Sequence, residues 1–118
     1  MQRLLALNPK PDGVFCYNDP LAIGAMDTIL AAGLSIPRDI ALIGCGNLHY
    51  DDALRVPLSS VDQHNAQLGE AAGKLLLAML SSKNGQSRPK SIVLEPHLVP
   101  RASTARLAAG SQFPNDKN

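Results

Sequence analysis

The sequence predicts an α/β fold with a parallel sheet built from a strand–helix–strand unit. Two apolar runs, within residues 13–20 and 40–47, each end abruptly in small and amide-bearing residues, and a helical pattern lies between them. About 20 residues separate the runs, which suits a crossover helix and predicts parallel strands. Open α/β sheets bind ligands at the carboxyl ends of such strands, so the pattern indicates a small-molecule site at that edge.

The first half of the chain predicts two strands preceded by a helical segment. Residues 1–7 have the composition of the last turns of a helix whose beginning is missing. Residues 14–17 form a β-prone run without charges, as expected for a strand covered on both faces. Residues 40–43 predict a second buried strand.

The helix between these strands is predicted to span about residues 20–32. Asp19 is expected to be its N-cap, and Pro20 suits the first helical position because its missing N–H costs nothing there. Gly33 is a natural residue for a left-handed C-terminal cap. Leu21, Ala25, Ile29 and Ala32 form an apolar row at helical spacing.

The second half predicts a short helical turn within 48–55, a brief extended segment at 58–61 and a long amphipathic helix beginning near 62–65. A polar loop at 81–89 precedes a third strand at 92–94 and a possible fourth at 98–99. The apolar face of the long helix is predicted to be core and consists of Leu68, Ala72, Leu75, Leu76, Met79 and Leu80.

The composition excludes several classes of function. Lysine and arginine number 11 against 10 acidic residues, so the chain lacks the basic surface of a nucleic-acid-binding module. No apolar run approaches the ~18 residues needed to cross a membrane, and the apolar N-terminal run is too short for a signal-peptide core. We therefore expect a cytoplasmic protein with no cofactor. No nucleophile motif or phosphate-binding glycine loop is present, and an enzyme is not expected.

Cysteine and histidine residues predict no metal centre. Cys16 and Cys45 are expected to be buried, reduced thiols near strand ends, with a disulfide as the alternative. His49, His64 and His97 lack the spacing of metal ligands and are expected to be solvated. One strand–helix–strand unit, one long helix and a few short strands leave sheet edges unpaired, which predicts part of a larger fold.

Several segments together resemble the sensor domain of lactose/galactose-repressor-type (LacI/GalR) regulators. They run from Pro11 to Ala25, from Ala32 to Gly44, from Pro57 to Gln63 and, more weakly, from Leu98 to Thr104. The resemblance covers about residues 3–104 in the family's order and approximate spacing. It implies a partial periplasmic-binding-protein-like (type I) fold, in which a sugar, nucleobase or related metabolite binds between two lobes and changes operator affinity.

The resemblance also implies a domain arrangement. Residues 1–61 would belong to the C-terminal lobe, 62–93 would cross into the N-terminal lobe, and 94–104 would return. Residues 105–118 are expected to form a flexible tail. The helix-turn-helix of the family is absent from these residues, so operator DNA is expected to be bound only through a headpiece outside them, in a homodimer.

Candidate effector-binding residues follow from matching family positions. Asn18 can offer hydroxyl groups a donor and an acceptor without burying a charge, or can simply shape the turn before the helix. Asp19 matches the next family position, with helix capping as its alternative. Gln63 lies just after the crossing between lobes and matches a cleft position, with hinge structure as its alternative. Gly46 stands where many members have a sugar-binding aspartate, so Asn47 becomes the candidate at this strand end.

Three further residues are candidates for the dimer interface: Ile23, Met26 and Leu54. Ile23 and Met26 lie on the first long helix, which the family uses for dimer contacts, and core packing is their alternative. Asp51 or Asp52 could supply the carboxylate that Gly46 lacks.

Two other functions stay open. One is a fragment of a solute-binding protein of a transporter, which an upstream signal peptide would indicate. The other is an enzyme fragment, which a titratable pair at the strand ends would indicate.

Overall fold

A computed structural model describes residues 1–81 and 91–106 of the protein, which form a four-stranded sheet with helices. The predicted α/β fold is confirmed. The elements, in chain order, are α1 (Gln2–Leu5), β1 (Gly13–Phe15), α2 (Asp19–Ala31), β2 (Ala41–Cys45), a 3₁₀ turn (Asp51–Ala53), β3 (Ser59–Asp62), α3 (Asn65–Ser81), β4 (His97–Val99) and a second 3₁₀ turn (Ala102–Thr104).

The sheet has the strand order β1-β2-β3-β4. β1 and β2 are parallel, as predicted, with Val14 opposite Leu42, and β2 and β3 are also parallel. β4 pairs with β3 in the antiparallel direction, with His97 opposite Asp62. The carboxyl ends of β1, β2 and β3 therefore meet at one edge of the sheet, together with the amino end of β4.

Local sequence signals determine both ends of α2. Asn18, not Asp19, is the N-cap: its Oδ1 accepts a hydrogen bond from the Leu21 N–H at 2.9 Å. The predicted cap was wrong by one residue because asparagine caps as well as aspartate does. At the other end Gly33 has φ of 74°, and the Leu34 N–H donates to the Ile29 carbonyl, as in a Schellman cap.

The hydrophobic core lies between α2 and the middle of the sheet. Its fully buried side chains include Ile29 of α2, Leu42 of β2 and Leu58 just before β3. Ala22 and Ala25 present small side chains on the same helix face, which allows the helix to approach the sheet closely. Apolar burial at this layer is the main stabilising contribution to the described fold.

The second 3₁₀ turn is tied to β2 and β3 by buried hydroxyl groups. Ser103 Oγ accepts from the Ser59 N–H at 2.8 Å and donates to the Leu42 carbonyl at 2.6 Å. Arg106 donates from Nε to the Pro37 carbonyl at 3.0 Å. The chain is therefore still anchored at residue 106, inside the predicted flexible tail 105–118.

Two strand predictions were wrong. β1 is not covered on both faces: Val14 is half-buried, whereas Phe15 on the opposite face is 63% exposed. Residues 92–94 form no strand, and Val93 is 88% exposed. A β-prone run becomes a strand only beside a partner, and the described residues provide none at 92–94.

The predicted core stripe of α3 was also wrong for the described part of the chain. α3 has no buried residue there, and its large apolar side chains are exposed: Leu68, Leu76, Leu77, Met79 and Leu80. The periodicity correctly predicted an amphipathic helix, but burial requires an opposing surface. The predicted polar loop 81–89 and most of the predicted tail 105–118 lie outside the described residues.

Both cysteines are free thiols, and both are half-buried rather than fully buried as predicted. Desolvation raises the pKa of the Cys16 thiol above its usual value. It raises the pKa of Cys45 as well, with a further contribution from the negative charge of Asp19. Both thiols are therefore kept in the protonated, less nucleophilic form.

Candidate functional site

A hydrogen-bonded group of side chains joins the ends of β2 and β3. Asn47, directly after β2, donates from Nδ2 to Asp62 Oδ2 at 3.0 Å. Its Oδ1 accepts from Arg101 Nη2 at 2.8 Å. The Asn47 carboxamide is thus fixed at both ends, and it holds a carboxylate and a guanidinium in place beside the strand ends.

Arg101 is the cation of this group, and its side chain is only 12% exposed. It donates from Nη1 to the Leu58 carbonyl at 2.8 Å, and its Nε contacts the carboxylate of Asp52. Because one guanidinium serves three acceptors, its orientation is fixed.

Asp62 is an ionised carboxylate at the carboxyl end of β3. Its Oδ1 accepts from the backbone N–H of His64 at 2.7 Å. This bond, followed by the one from Asn47, holds the pKa of Asp62 below its usual range. A carboxylate that remains charged is available to accept hydrogen bonds from hydroxyl or N–H groups.

Asp19 is fully buried and connects α2 to the same strand ends. Its Oδ1 accepts from Ser60 Oγ at 2.6 Å, and its Oδ2 accepts from the Leu48 N–H at 3.1 Å. Ser60 Oγ in turn accepts from the Asn47 N–H at 3.0 Å. Asp19 therefore positions the loop after β2 from inside the protein.

A second buried carboxyl group, that of Asp51, lies close to Asp19. Neither oxygen of the Asp51 carboxyl has a hydrogen-bond partner in the described part of the chain. Burial, reinforced by the negative charge of Asp19, raises the pKa of Asp51 to about 6. The site of Asp51 therefore disfavours the charged form of its carboxyl relative to an exposed aspartate.

Glycine at positions 44 and 46 is required by the approach of Asp19. A Cβ at Gly44 would lie 2.1 Å from Asp19 Oδ1, and one at Gly46 would lie 3.0 Å from Asp19 Oδ2. Gly46 also has φ of 129°, which side chains rarely tolerate. An aspartate at position 46 would therefore be strained in the backbone conformation that this loop adopts.

A cavity of about 330 Å³ opens beside these side chains, between the loop after β2 and the start of α3. This volume lies in the range of small-ligand sites. The lining residues are Gly46, Asn47, Leu48, His49, Asp62, His64, Asn65, Ala66 and Gln67. A larger groove of about 580 Å³ lies between α1 and α2, away from the strand ends.

The four predicted effector-binding residues have different positions relative to this cavity. Asn47 lines it, whereas Asn18, Asp19 and Gln63 do not. Asn18 is half-buried and uses Oδ1 as the helix cap, and Gln63 is exposed just after β3. Asp19 is enclosed in the protein, so its contribution is to position the loop.

Neither acid proposed as a substitute at Gly46 lines the cavity. Asp51 is buried and Asp52 contacts Arg101, whereas Asp62 provides the carboxylate of the lining. Asp62 could have been found from the sequence, since it ends the third strand just as Asn18 and Asn47 follow the first two. Arg101 could not, because it reaches the site from 39 positions beyond Asp62 in the chain.

Two histidines also meet at this edge. His64 Nε2 and His97 Nδ1 are 3.3 Å apart, with ring centroids separated by 4.9 Å. Their separation of 33 positions in the chain concealed this proximity from the sequence. His64 is half-buried and His97 is exposed, so the expectation of solvated side chains is only partly correct.

The three candidate interface residues are not equally accessible. Met26 is buried in the core at 2% exposure, so its predicted availability at a surface is wrong. Ile23 is half-buried, and the half-buried Leu54 packs against the core. Core packing thus accounts for Met26, and the interface itself stays a prediction.

Among the described residues, no helix has the length and apolar character needed to span a membrane.

Comparisons with known proteins agree on a family. The family described as "Periplasmic binding protein-like domain" matches residues 1–104. A relative named "HTH-type transcriptional repressor PurR", from Mannheimia succiniciproducens, is 38% identical over 108 residues, which are 92% of this chain and 32% of the relative. The "Ribose operon repressor" of Haemophilus influenzae is 37% identical over 103 residues, covering 87% of this chain and 30% of that protein.

A solved structure, "transcriptional regulator CelR-cellobiose complex", superposes on the chain with a TM-score of 0.79 at 28% identity. The match covers 86% of this chain and 31% of that one. The chain spans about a third of the length of the curated relatives that it matches.

Proposed function

Because the chain belongs to the periplasmic binding protein-like domain family, as part of the effector-binding domain of a LacI-type regulator, we propose that its strand-end cavity binds the effector. Effector binding there changes the operator affinity of the regulator, and this part of the protein acts as a sensor rather than as an enzyme.

The cavity beside Asn47 and Asp62 is the single observation on which this proposal rests. It lies at the carboxyl ends of β2 and β3, which is the ligand-binding edge of open α/β sheets. Asp62 offers a charged acceptor and Asn47 an amide, both held in place before any ligand arrives. Preorganised polar groups bind a ligand at a smaller entropic cost.

The chemistry of the lining favours an effector rich in hydroxyl or N–H donors, namely a sugar or a related small metabolite such as a nucleobase. Relatives named as a ribose operon repressor and as a regulator–cellobiose complex support a sugar. Gly46 supplies no carboxylate here, so Asp62 takes the role of the anionic acceptor from the neighbouring strand.

The other parts of the proposal concern the regulator as a whole. Residues 1–61 and 94–104 belong to one lobe, and residues 62–93 cross into the other, so the cavity forms one wall of a cleft. The regulator is a cytoplasmic homodimer that binds operator DNA through a separate headpiece. Exposed apolar side chains near β1, including Phe15 and Leu21, support an interface on that side, to which Ile23 and Leu54 contribute.

The test is isothermal titration of a regulator containing this chain with ribose, glucose, cellobiose, adenine and guanine, in buffer containing EDTA. Asp62→Asn should weaken binding of whichever compound binds by about 1.5–3 kcal/mol, the contribution of a hydrogen bond to a charged group. Asp27→Asn is the matched control and should bind normally, since Asp27 is exposed on α2 and does not line the cavity. Equal affinities for the unmodified regulator and both variants would reject the cavity as the effector site.

A further inference from the structure

Three side chains from two separate segments converge where β3 ends and β4 begins. Asp62 and His97 are opposite each other in the β3–β4 ladder, and His64 follows two residues after Asp62. One carboxylate oxygen and one nitrogen of each imidazole all lie within 4.8 Å of one another. We propose that Asp62, His64 and His97 form a site for a divalent transition-metal ion, with Zn²⁺ as the best match.

The spacing of the two imidazoles fits a tetrahedral ion. Two nitrogen ligands at ~2.0–2.1 Å from Zn²⁺ in tetrahedral geometry are about 3.3–3.4 Å apart. The separation of 3.3 Å between His64 Nε2 and His97 Nδ1 equals this value. A carboxylate oxygen of Asp62 lies within 4.8 Å of both nitrogens, as the third ligand atom of the cluster.

The carboxylate ligand, Asp62, is already oriented by its neighbours, as in many metal sites. Asp62 Oδ1 accepts from the His64 N–H at 2.7 Å, and Asp62 Oδ2 accepts from Asn47 Nδ2 at 3.0 Å. Each carboxylate oxygen keeps a further lone pair for a metal ion. Arg101 in turn fixes the Asn47 carboxamide.

The donor set selects the metal. Two imidazoles and one carboxylate suit Zn²⁺ and related transition metals, whereas Mg²⁺ and Ca²⁺ prefer oxygen ligands alone. Three protein ligands leave one position for water or for an oxygen atom of another molecule. Because Asp62 and His64 also line the 330 Å³ cavity, that position adjoins the proposed effector site.

The test uses the untagged 118-residue chain, freed of metal by a chelator, and contains no effector, so its outcome is independent of the proposed function. Calorimetric titration with ZnCl₂ near neutral pH should show one ion bound per chain. Zn²⁺ should also raise the melting temperature, because it binds the folded chain. CoCl₂ should give the visible absorption bands of four-coordinate Co²⁺, and MgCl₂ should not compete.

His97→Gln should weaken Zn²⁺ binding about tenfold or more while leaving the metal-free melting temperature unchanged, because His97 is exposed. His64→Asn provides a second variant, since asparagine tolerates the positive φ of 56° at this position. His49→Gln is the matched control: His49 lines the cavity outside the cluster and should not affect binding. Absence of Zn²⁺ binding to the unmodified chain, or an equal loss in His49→Gln, would overturn the proposal.

Discussion

The carboxyl group of Asp51 is buried without a hydrogen-bond partner among the described residues, next to the charge of Asp19. Its pKa in the folded protein is about 6, above the ordinary value of 3.8. The folded state therefore binds this proton more tightly than the unfolded state does. The resulting contribution to stability is fully present below about pH 4 and is lost as the pH rises through about 6.

Substitution of Asp51 by asparagine tests this pH dependence. Between about pH 4 and pH 6, the free energy of unfolding of the unmodified chain should fall by roughly 3 kcal/mol, at about 1.4 kcal/mol per pKa unit. Asp51→Asn keeps the shape of the neutral acid and should remove most of this loss. Urea unfolding at a series of pH values between about 4 and 7 measures the effect. Parallel pH profiles for the two proteins would contradict the assignment.

Asn18 combines two roles that substitution can separate. Asn18→Ala should destabilise α2 by about 0.5–2 kcal/mol through loss of the cap. If the amide also contacts the effector, Asn18→Ala should weaken effector binding by about 1–3 kcal/mol. Asn18→Asp keeps the cap but not the amide donor, so it should retain stability and still lose affinity. Calorimetry showing unchanged affinity in Asn18→Asp would leave Asn18 as a cap only.

The sequence alone predicted some site residues because their signals are local. Asn47 was predicted because it follows the second apolar run at a position matched to the family, and Asp62 ends the third strand in the same way. Arg101 and His97 arrive from a distant segment through the antiparallel β4, and no spacing rule reveals such an approach. The one-residue error at the cap of α2 arose because Asn18 and Asp19 are both strong capping residues.

At the scale of single elements, close packing against Asp19 determines which glycines can be replaced. Gly44→Ala would place a Cβ 2.1 Å from Asp19 Oδ1 and 3.1 Å from a methyl group of Leu58. Relief of this overlap should cost about 1–3 kcal/mol or more and disturb the Asp19–Ser60 hydrogen bond.

Gly24→Ala is the matched control within α2, since nothing lies within 4 Å of the added Cβ. It should stabilise the chain by about 0.5–1 kcal/mol, the helix preference of alanine over glycine. Chemical denaturation of both variants measures the contrast. A Gly44→Ala protein as stable as Gly24→Ala would show that the Asp19 contact is not tight.

Helix α2 was predictable because capping and periodicity are encoded within about 16 residues. The predicted strand at 92–94 and the predicted coverage of β1 failed because both depend on neighbours from elsewhere in the fold. The apolar stripe of α3 failed for the same reason. Periodicity identifies which face of α3 is apolar, whereas burial requires an opposing surface, which the described residues do not provide.

At the scale of the whole molecule, exposed apolar surface on α3 predicts self-association of the 118-residue chain. Leu80 is 74% exposed, and four other large apolar side chains of α3 are between 50% and 65% exposed. Sedimentation at micromolar concentration should show species larger than a monomer, because contiguous apolar surface of this kind drives association.

Leu80→Lys should shift this distribution toward the monomer. Gln67→Lys adds the same charge at an exposed polar position of α3 and should have a smaller effect. A sharp two-state melt of a monomer, with no effect of Leu80→Lys, would contradict the expectation.

We propose that the cavity at the ends of β2 and β3 is an effector site in a LacI-type regulator. A crystal structure of a regulator containing this chain, grown with the compound that binds in the calorimetric panel, would locate that compound. We expect the compound to lie within hydrogen-bond distance of the Asp62 carboxylate, beside Asn47. A compound bound instead in the groove between α1 and α2, with the Asp62 cavity holding only solvent, would contradict it.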